Sequence, residues 1–308
     1  MNKQPLITVA ICTLNRADYL ADTLNGLAPQ AADPSLSEIV VIDNNSTDNT
    51  SEVCNNFAGK HPHLRFRYVK EEKQGLSFAR NRAIREAAAD SILFIDDDVI
   101  PAEHFVESAA GYINKYPDIM SAGGRIHVSF DSGKPEWIPK ELMPMFGLHD
   151  LGNEVMRYPR TNFPRGGNMI IRREVFELCG MFDTDLGRKG GNLLGSEEKA
   201  FFAKVRDEGY PIYYWPEMEL HHRIGAQRLE LSYLRKQSVG IGRSERIRVQ
   251  SSVTATVVKL MSEFVKLFGS LLLALGYLAR GNPGAAALLL KFRAWVLTGF
   301  LKPAQDPV

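Results

Sequence analysis

The chain has 308 residues, 44% hydrophobic and 24% charged, with a formal net charge of +1, proportions that exclude a disordered chain and suit one large α/β domain with an appendage. The charge is unevenly placed: residues 1–222 carry 24 Lys/Arg against 32 Asp/Glu, whereas 223–302 carry 13 against 3, so an acidic body and a basic tail are expected to meet different partners. Cys12, Cys54 and Cys179 have no metal-ligand spacing, which excludes a structural zinc motif and points to a reduced, cytosolic chain. The opening "MNKQPLITVAICTLNR" has too short an apolar run for a secretory signal.

In chain order, apolar β-branched runs at "ITVAICTL" (7–14), "EIVVID" (38–43), "LRFRYVK" (64–70) and "SILFID" (91–96) predict strands. Helical patterns separate them: "ADYLADTLNGLA", "STDNTSEVCNNFA" and "GLSFARNRAIREAAA". Strands alternating with helices of this length predict βαβ units in a mostly parallel sheet covered on both faces. Ligands of such sheets bind beyond the carboxyl ends of the strands. Those ends here hold Thr13, Asn15 and Arg16, then Asp43 and Asn44, then Asp96, Asp97 and Asp98.

Residues 131–165 are rich in Pro, Trp, Met and Gly and predict a long loop. Regular pattern returns at "GGNMIIRREVFELCG", in the helix "GSEEKAFFAKVRDEG" and in the strand "YPIYYWPEMELHH". The tail is amphipathic, with Val257, Leu260, Met261, Phe264, Phe268, Leu271, Leu272 and Leu275 at helical spacing and Lys259, Glu263 and Lys266 on the other face. Its longest uncharged stretch, 267–279, is short of the ~20 residues of a membrane span. A second apolar segment, 284–301, is interrupted by Lys291 and Arg293, and Gly-Asn-Pro-Gly at 281–284 marks a turn between the two.

The most demanding feature is "FIDDDVIP". Three adjacent carboxylates are unfavourable unless a cation compensates. If the strand alternation continues, Asp96 and Asp98 point to one side and Asp97 to the other. Two converging carboxylates then form part of a site for Mg²⁺ or Mn²⁺, whose other positions go to water and substrate phosphates. A solvated acidic turn before a helix starting near Pro101 fits the triplet equally well.

The ordered blocks "VAICTLNRADYL", "EIVVIDNNSTDNT", "GLSFARNRAI", "FIDDDVIP", "GGNMIIRREVFELCGMFD" and "GSEEKAFFAKVRDEGYPIYYWPE" resemble the family-two inverting glycosyltransferases, nucleotide-sugar enzymes of the GT-A fold. The resemblance covers about residues 5–225. It implies a catalytic domain at 1–225, with the nucleotide-sugar half at about 1–130 and the acceptor half at about 131–225, followed by a basic amphipathic helical tail at 226–308. It also implies a donor site built from Thr13, Asn15, Arg16, Asp43 or Asn44, Arg80, Asp97 and Asn168. Asp96 and Asp98 match the family's DxD metal and diphosphate site, and His221 stands as a further metal ligand or as a solvated strand-end histidine. Where the family usually has Glu-Asp, this chain has Glu197-Glu198; Glu198 takes the place of the catalytic base and Glu197 a structural or acceptor-orienting role, although acids opening a helix are stabilised there in any case.

The implied cofactor is Mg²⁺ or Mn²⁺, and the implied donor is a nucleotide-diphosphate sugar. The acceptor is then a carbohydrate or lipid-linked hydroxyl, as in cell-envelope polysaccharide or glycolipid synthesis. The tail predicts a peripheral position on the inner face of the cell membrane, or a helical hairpin packed on the catalytic domain or on a second subunit. Nucleic-acid binding is not expected, because aromatic interleaving and known motifs are missing. Three other readings remain: a sugar-nucleotide-binding scaffold with a decayed site, a nucleotidyltransferase, and a glycosidase. "CTLNRADYL" lacks the glycines of a triphosphate loop, which counts against the second, and the βαβ sheet counts against the third.

Overall fold

Strand β1 (Ile7–Thr13) is flanked in parallel by β2 (Ser37–Asp43) and β4 (Ser91–Asp96), and β2 in turn by β3 (Phe66–Lys70). Helices α1 (Ala17–Leu27), α2 (Thr50–Lys60) and α3 (Leu76–Glu86) make the connections. The computed structural model describes residues 4–187 and 197–302. Alternate residues of these strands feed two separate cores. Val9, Ile11, Ile39, Val41, Leu93 and Ile95 pack with Leu20 and Leu24 of α1, whereas Ala10, Val40, Ile42, Ile92 and Phe94 pack with Ala79 and Ala83 of α3. Both faces are therefore dry, which is why these strands read as continuous apolar runs.

Beyond β4 the sheet changes sense. Among the described residues its order is β3-β2-β1-β4-β8-β6-β9-β5, with β8 (Asn168–Arg172) antiparallel to β4 and to β6 (Ser121–Phe130). The long β9 (Ile212–Ile224) pairs antiparallel with β5 (Val99–Pro101) and β7 (Met156–Arg157). The parallel arrangement expected from the first hundred residues thus holds for one half of a mixed sheet. Helix α4 (Phe105–Lys115) precedes β6, α5 (Arg173–Cys179) follows β8, and α6 (Glu197–Asp207) precedes β9. Gly195 and Ser196 of the predicted "GSEEK" helix lie outside the described residues.

Pro101 does not open a helix, as the sequence suggested; it closes β5, and α4 begins four residues later. β5 is the last strand in the order, where a residue without an N–H is tolerated. The predicted 131–165 loop contains a 3₁₀ helix at Lys140–Phe146 as well as β7.

The chain divides into two compact units: Met1–Val128, Gly147–Asp185 and Glu197–Arg223 form one, and Ser129–Phe146, Leu186–Ser196 and Ile224–Val308 the other. The second is helical, with α7 (Leu231–Val249), α8 (Val253–Ala279) and α9 (Pro283–Leu301). Helices α7 and α9 touch through glycines: a Cβ on Gly242 would sit 2.0 Å from the Val296 carbonyl oxygen, and one on Gly299 2.1 Å from that of Val239. Helix α9 buries Ala285, Ala286, Leu288, Leu289, Phe292, Val296 and Phe300. Helix α8 buries only Glu263, Ser270 and Ala274.

Candidate active site at the strand ends

Two of the three aspartates have their compensating cation in the chain itself. Asp97 and Asp98 form the turn after β4, and the Arg16 guanidinium donates to both: 3.0 Å to Asp97 Oδ1, with a closer contact to Asp98. Thr13 adds a 2.7 Å hydrogen bond to Asp97 Oδ2, and the Thr23 hydroxyl lies within hydrogen-bond distance of the Asp97 and Val99 carbonyls, 2.9 and 2.8 Å away. Burial and the neighbouring Asp98 push the Asp97 carboxyl up to about 6, against the pull of Arg16 and Thr13. Burial alone would lower Arg16; the two carboxylates outweigh it and raise its pKa.

Asp96 and Asp98 converge with a histidine, and that histidine is His222. One ligand atom from each of Asp96, Asp98 and His222 lies within 4.8 Å of the other two, and His222 Nε2 is 3.2 Å from Asp98 Oδ1. His221, the histidine proposed from the sequence, stacks instead on His127 with ring centroids 5.0 Å apart and is half exposed. The register decides between them: β9 runs antiparallel to β5 with Val99 opposite His222 and Ile100 opposite His221. Side chains alternate along β9, so only His222 joins the aspartates.

Two adjacent glycines let other groups close in. A Cβ on Gly167 would meet Asp96 Oδ2 at 2.5 Å, and one on Gly166 would meet Arg80 Nη2 at 2.1 Å. Their role is close backbone approach to charged side chains rather than turn geometry alone. Asn168 follows as the first residue of β8, fully buried, its amide donating to the Arg125 and Met218 carbonyls. It fastens β6 and β9 to β8, and among the described residues its Oδ1 has no hydrogen-bond partner.

Arg80 was expected to pair with donor phosphates. Its guanidinium is buried and donates to Glu197 Oε1 at 2.6 Å, with the Phe182 ring beneath it. Burial lowers its pKa, but Glu197, Glu198 and Asp96 together raise it. Glu197 opens α6 and is buried. Glu198, half-buried beside it, is a different carboxyl: desolvation and the Glu197 charge push it up to about 8, against the pull of Arg80. A carboxyl tuned to the neutral range is what proton transfer requires. Cys12 is no competing nucleophile, since burial drives its thiol up to about 12.

The remaining donor-site candidates hold loops together. Asn15, with φ +54°, accepts from the Thr47 N–H at 2.7 Å and ties the loop after β1 to the loop after β2. Asp43 accepts from Tyr68 and from the Ser46 N–H. Asn44 bonds the Lys73 carbonyl and the Gly75 N–H and so anchors the entry to α3. Asp43 and Asn44 are both buried. The structure therefore gathers Thr13, Arg16 and Asp96–Asp98 into one cluster and Arg80, Glu197 and Glu198 into another. Asn15, Asp43 and Asn44 adjoin the first cluster, Asp43 opposite Thr13 and the Asn44 N–H on the Thr13 carbonyl at 2.9 Å, and their side chains anchor loops.

Residues 8–180 match the model of glycosyl transferase family 2. The chain belongs to that family. This glycosyltransferase is 24% identical over 245 residues to the glucosyl-dolichyl phosphate glucuronosyltransferase of Haloferax volcanii, covering 78% of this chain and 76% of that protein. It is 23% identical over 250 residues to the succinoglycan biosynthesis protein ExoM of Rhizobium meliloti, covering 77% and 73%. Among solved structures, the mannosyltransferase PcManGT of Pyrobaculum calidifontis, in complex with GDP-Man and Mn²⁺, superposes with a TM-score of 0.61 at 17% identity, over 96% of this chain and 87% of that one. S. aureus TarS superposes with a TM-score of 0.52 at 20% identity, and this chain spans 39% of its length. These likenesses establish the GT-A fold.

The donor set of the glycosyltransferase fits a divalent ion. Two carboxylates and an imidazole within 4.8 Å of one another offer the hard, mixed O/N ligation that Mn²⁺ or Mg²⁺ accepts. Asp98 and His222 are buried, Asp98 in the turn just before β5 and His222 on β9, which pairs with β5.

Proposed function

We propose that this family-two glycosyltransferase moves a sugar from a nucleotide-diphosphate donor to an acceptor hydroxyl with inversion at the anomeric carbon. What carries the proposal is the division of the carboxylates into two groups with opposite character. Asp96 and Asp98, with His222, present anionic ligands beside cationic Arg16, whereas Glu198 is held near neutrality by burial and Glu197.

A divalent ion held by Asp96, Asp98 and His222 would neutralise the diphosphate as it leaves. Arg16 and Thr13 orient the turn that carries those aspartates. Arg80 fixes Glu197, and the fixed Glu197 charge lifts the affinity of Glu198 for a proton. Deprotonated Glu198 takes the acceptor hydroxyl's proton as that oxygen attacks the anomeric carbon from the side opposite the leaving group. One displacement suffices, so no covalent sugar–enzyme intermediate is required.

The catalytic domain of this proposal spans about residues 1–225, and the tail 226–308. Relatives named for dolichyl-phosphate glycans and for succinoglycan synthesis support a lipid-linked or polysaccharide acceptor. The basic tail and the apolar side chains that α8 exposes support a peripheral position at the inner face of the cell membrane. A panel of nucleotide-sugars with Mn²⁺ or Mg²⁺, read by thermal shift and by release of nucleoside diphosphate, tests the donor class. Binding without turnover under every acceptor condition would favour a non-catalytic sugar-nucleotide protein; absence of any response from folded protein would remove the donor assignment.

A further inference from the structure

Helix α8 is built inside out. Its inward positions are Glu263, Ser270 and Ala274, and Glu263 sits in a cage of Lys259 at 3.1 Å, Lys266 at 2.8 Å and Arg293 at 3.9 Å. Its large apolar side chains face outward: Phe264 is 53% exposed, Val265 71% and Phe268 64%, with Met261, Leu272 and Leu275 equally open. An exposed apolar surface of this extent on one helix marks an interaction site rather than chance exposure.

We propose that the outer face of α8 lies flat on an anionic lipid surface. The proposal deepens the membrane placement above and leaves the transfer chemistry untouched. Three observations select lipid over a second copy of the chain. First, the face is broad: Val257 and Val258, Met261, Phe264 and Val265, Phe268, then Leu271 and Leu272 recur every seven residues as three apolar positions, wider than the two of a coiled-coil seam. Second, the charges of α8, at 259, 263 and 266, are paired with one another rather than with a partner helix. Third, the surroundings are basic. Residues 223–302 hold 13 cations against 3 acids, two of those acids, Glu245 and Glu263, are buried in ion pairs, and Arg235, Lys236, Arg280 and Lys291 are exposed. A wide apolar face on a basic unit suits anionic headgroups.

Helix α9 is the element that length and composition would nominate for crossing a membrane, yet it packs on α7 and α8 and buries Leu288, Leu289, Phe292, Val296 and Phe300. The contact surface assigned here is α8, and the mode is peripheral.

The test is flotation of the full chain with vesicles of phosphatidylcholine alone and of phosphatidylcholine with about one-third phosphatidylglycerol. The expected result is binding to the anionic vesicles, weakened by salt and released by alkaline carbonate. The double variant Phe264→Asp/Phe268→Asp should lower the bound fraction roughly tenfold or more, with an unchanged melting temperature and unchanged donor binding. Equal binding to neutral vesicles, or carbonate-resistant binding, would overturn the proposal. So would folded protein that floats with neither vesicle and forms a dimer dissolved by the same double variant. None of these outcomes depends on sugar transfer, so failure here leaves the catalytic proposal standing on its own test.

Discussion

At the scale of single residues, the charge balance around the aspartate turn is the feature most open to experiment. Arg16 is the cation that makes Asp97 and Asp98 tolerable, so Arg16→Met should destabilise the protein by about 1–3 kcal/mol in urea titration, the range for leaving buried polar groups unpaired. Added Mn²⁺ should restore more stability to that variant than to the wild type, because it supplies the missing charge. Glu198 gives a pH test. Its folded-state pKa of about 8 lies above the ordinary carboxyl value, so the folded protein binds this proton more tightly than the unfolded chain. That contribution is complete at acidic pH and is lost as pH rises through about 8. Glu198→Gln should therefore melt together with wild type near pH 4 and above it at pH 8, by on the order of a few kcal/mol. The same deprotonation predicts a rising limb near pH 8 in transfer rate, shifted to lower pH in Glu197→Gln.

At the scale of elements, legibility followed how each element is stabilised. Strands β1, β2 and β4 bury continuous apolar runs, so their composition locates them. Helix α7 lies within the predicted helical tail, but no apolar pattern marks its extent because "LSYLRKQSVGIGRSERIRV" is polar; it packs through Ser238, Gly240, Gly242 and Ser244, with α9 pressed against its backbone. Small residues contribute contact by proximity rather than by apolar pattern. Strand β6 was hidden for a related reason, its Gly123-Gly124 breaking the strand signal. The choice of His222 over His221 depends on the register of β9 against β5, which two adjacent histidines in a linear sequence do not reveal. His222→Ala should weaken Mn²⁺ binding by roughly 10- to 100-fold in isothermal titration, while His221→Ala leaves it unchanged. Gly167→Ala should act like the former, since its methyl would lie against the Asp96 carboxylate.

At the scale of the whole molecule, the sequence carries the family and the outline of two chemical groups, and the structure reassigns partners within them. Asn15, Asp43 and Asn44 hold loops, and Arg80 holds a glutamate rather than facing solvent. These assignments depend on pairings across the fold, such as the 117-residue separation between Arg80 and Glu197, and no local pattern encodes them. The central claim is that Glu198 removes the acceptor proton in a metal-assisted sugar transfer. Its most direct test is the transfer rate of Glu198→Gln, measured beside donor affinity once a donor has been identified from the nucleotide-sugar panel. The expected result is a loss of roughly 10²- to 10⁴-fold in rate with donor affinity retained; an unchanged rate would remove Glu198 as the base.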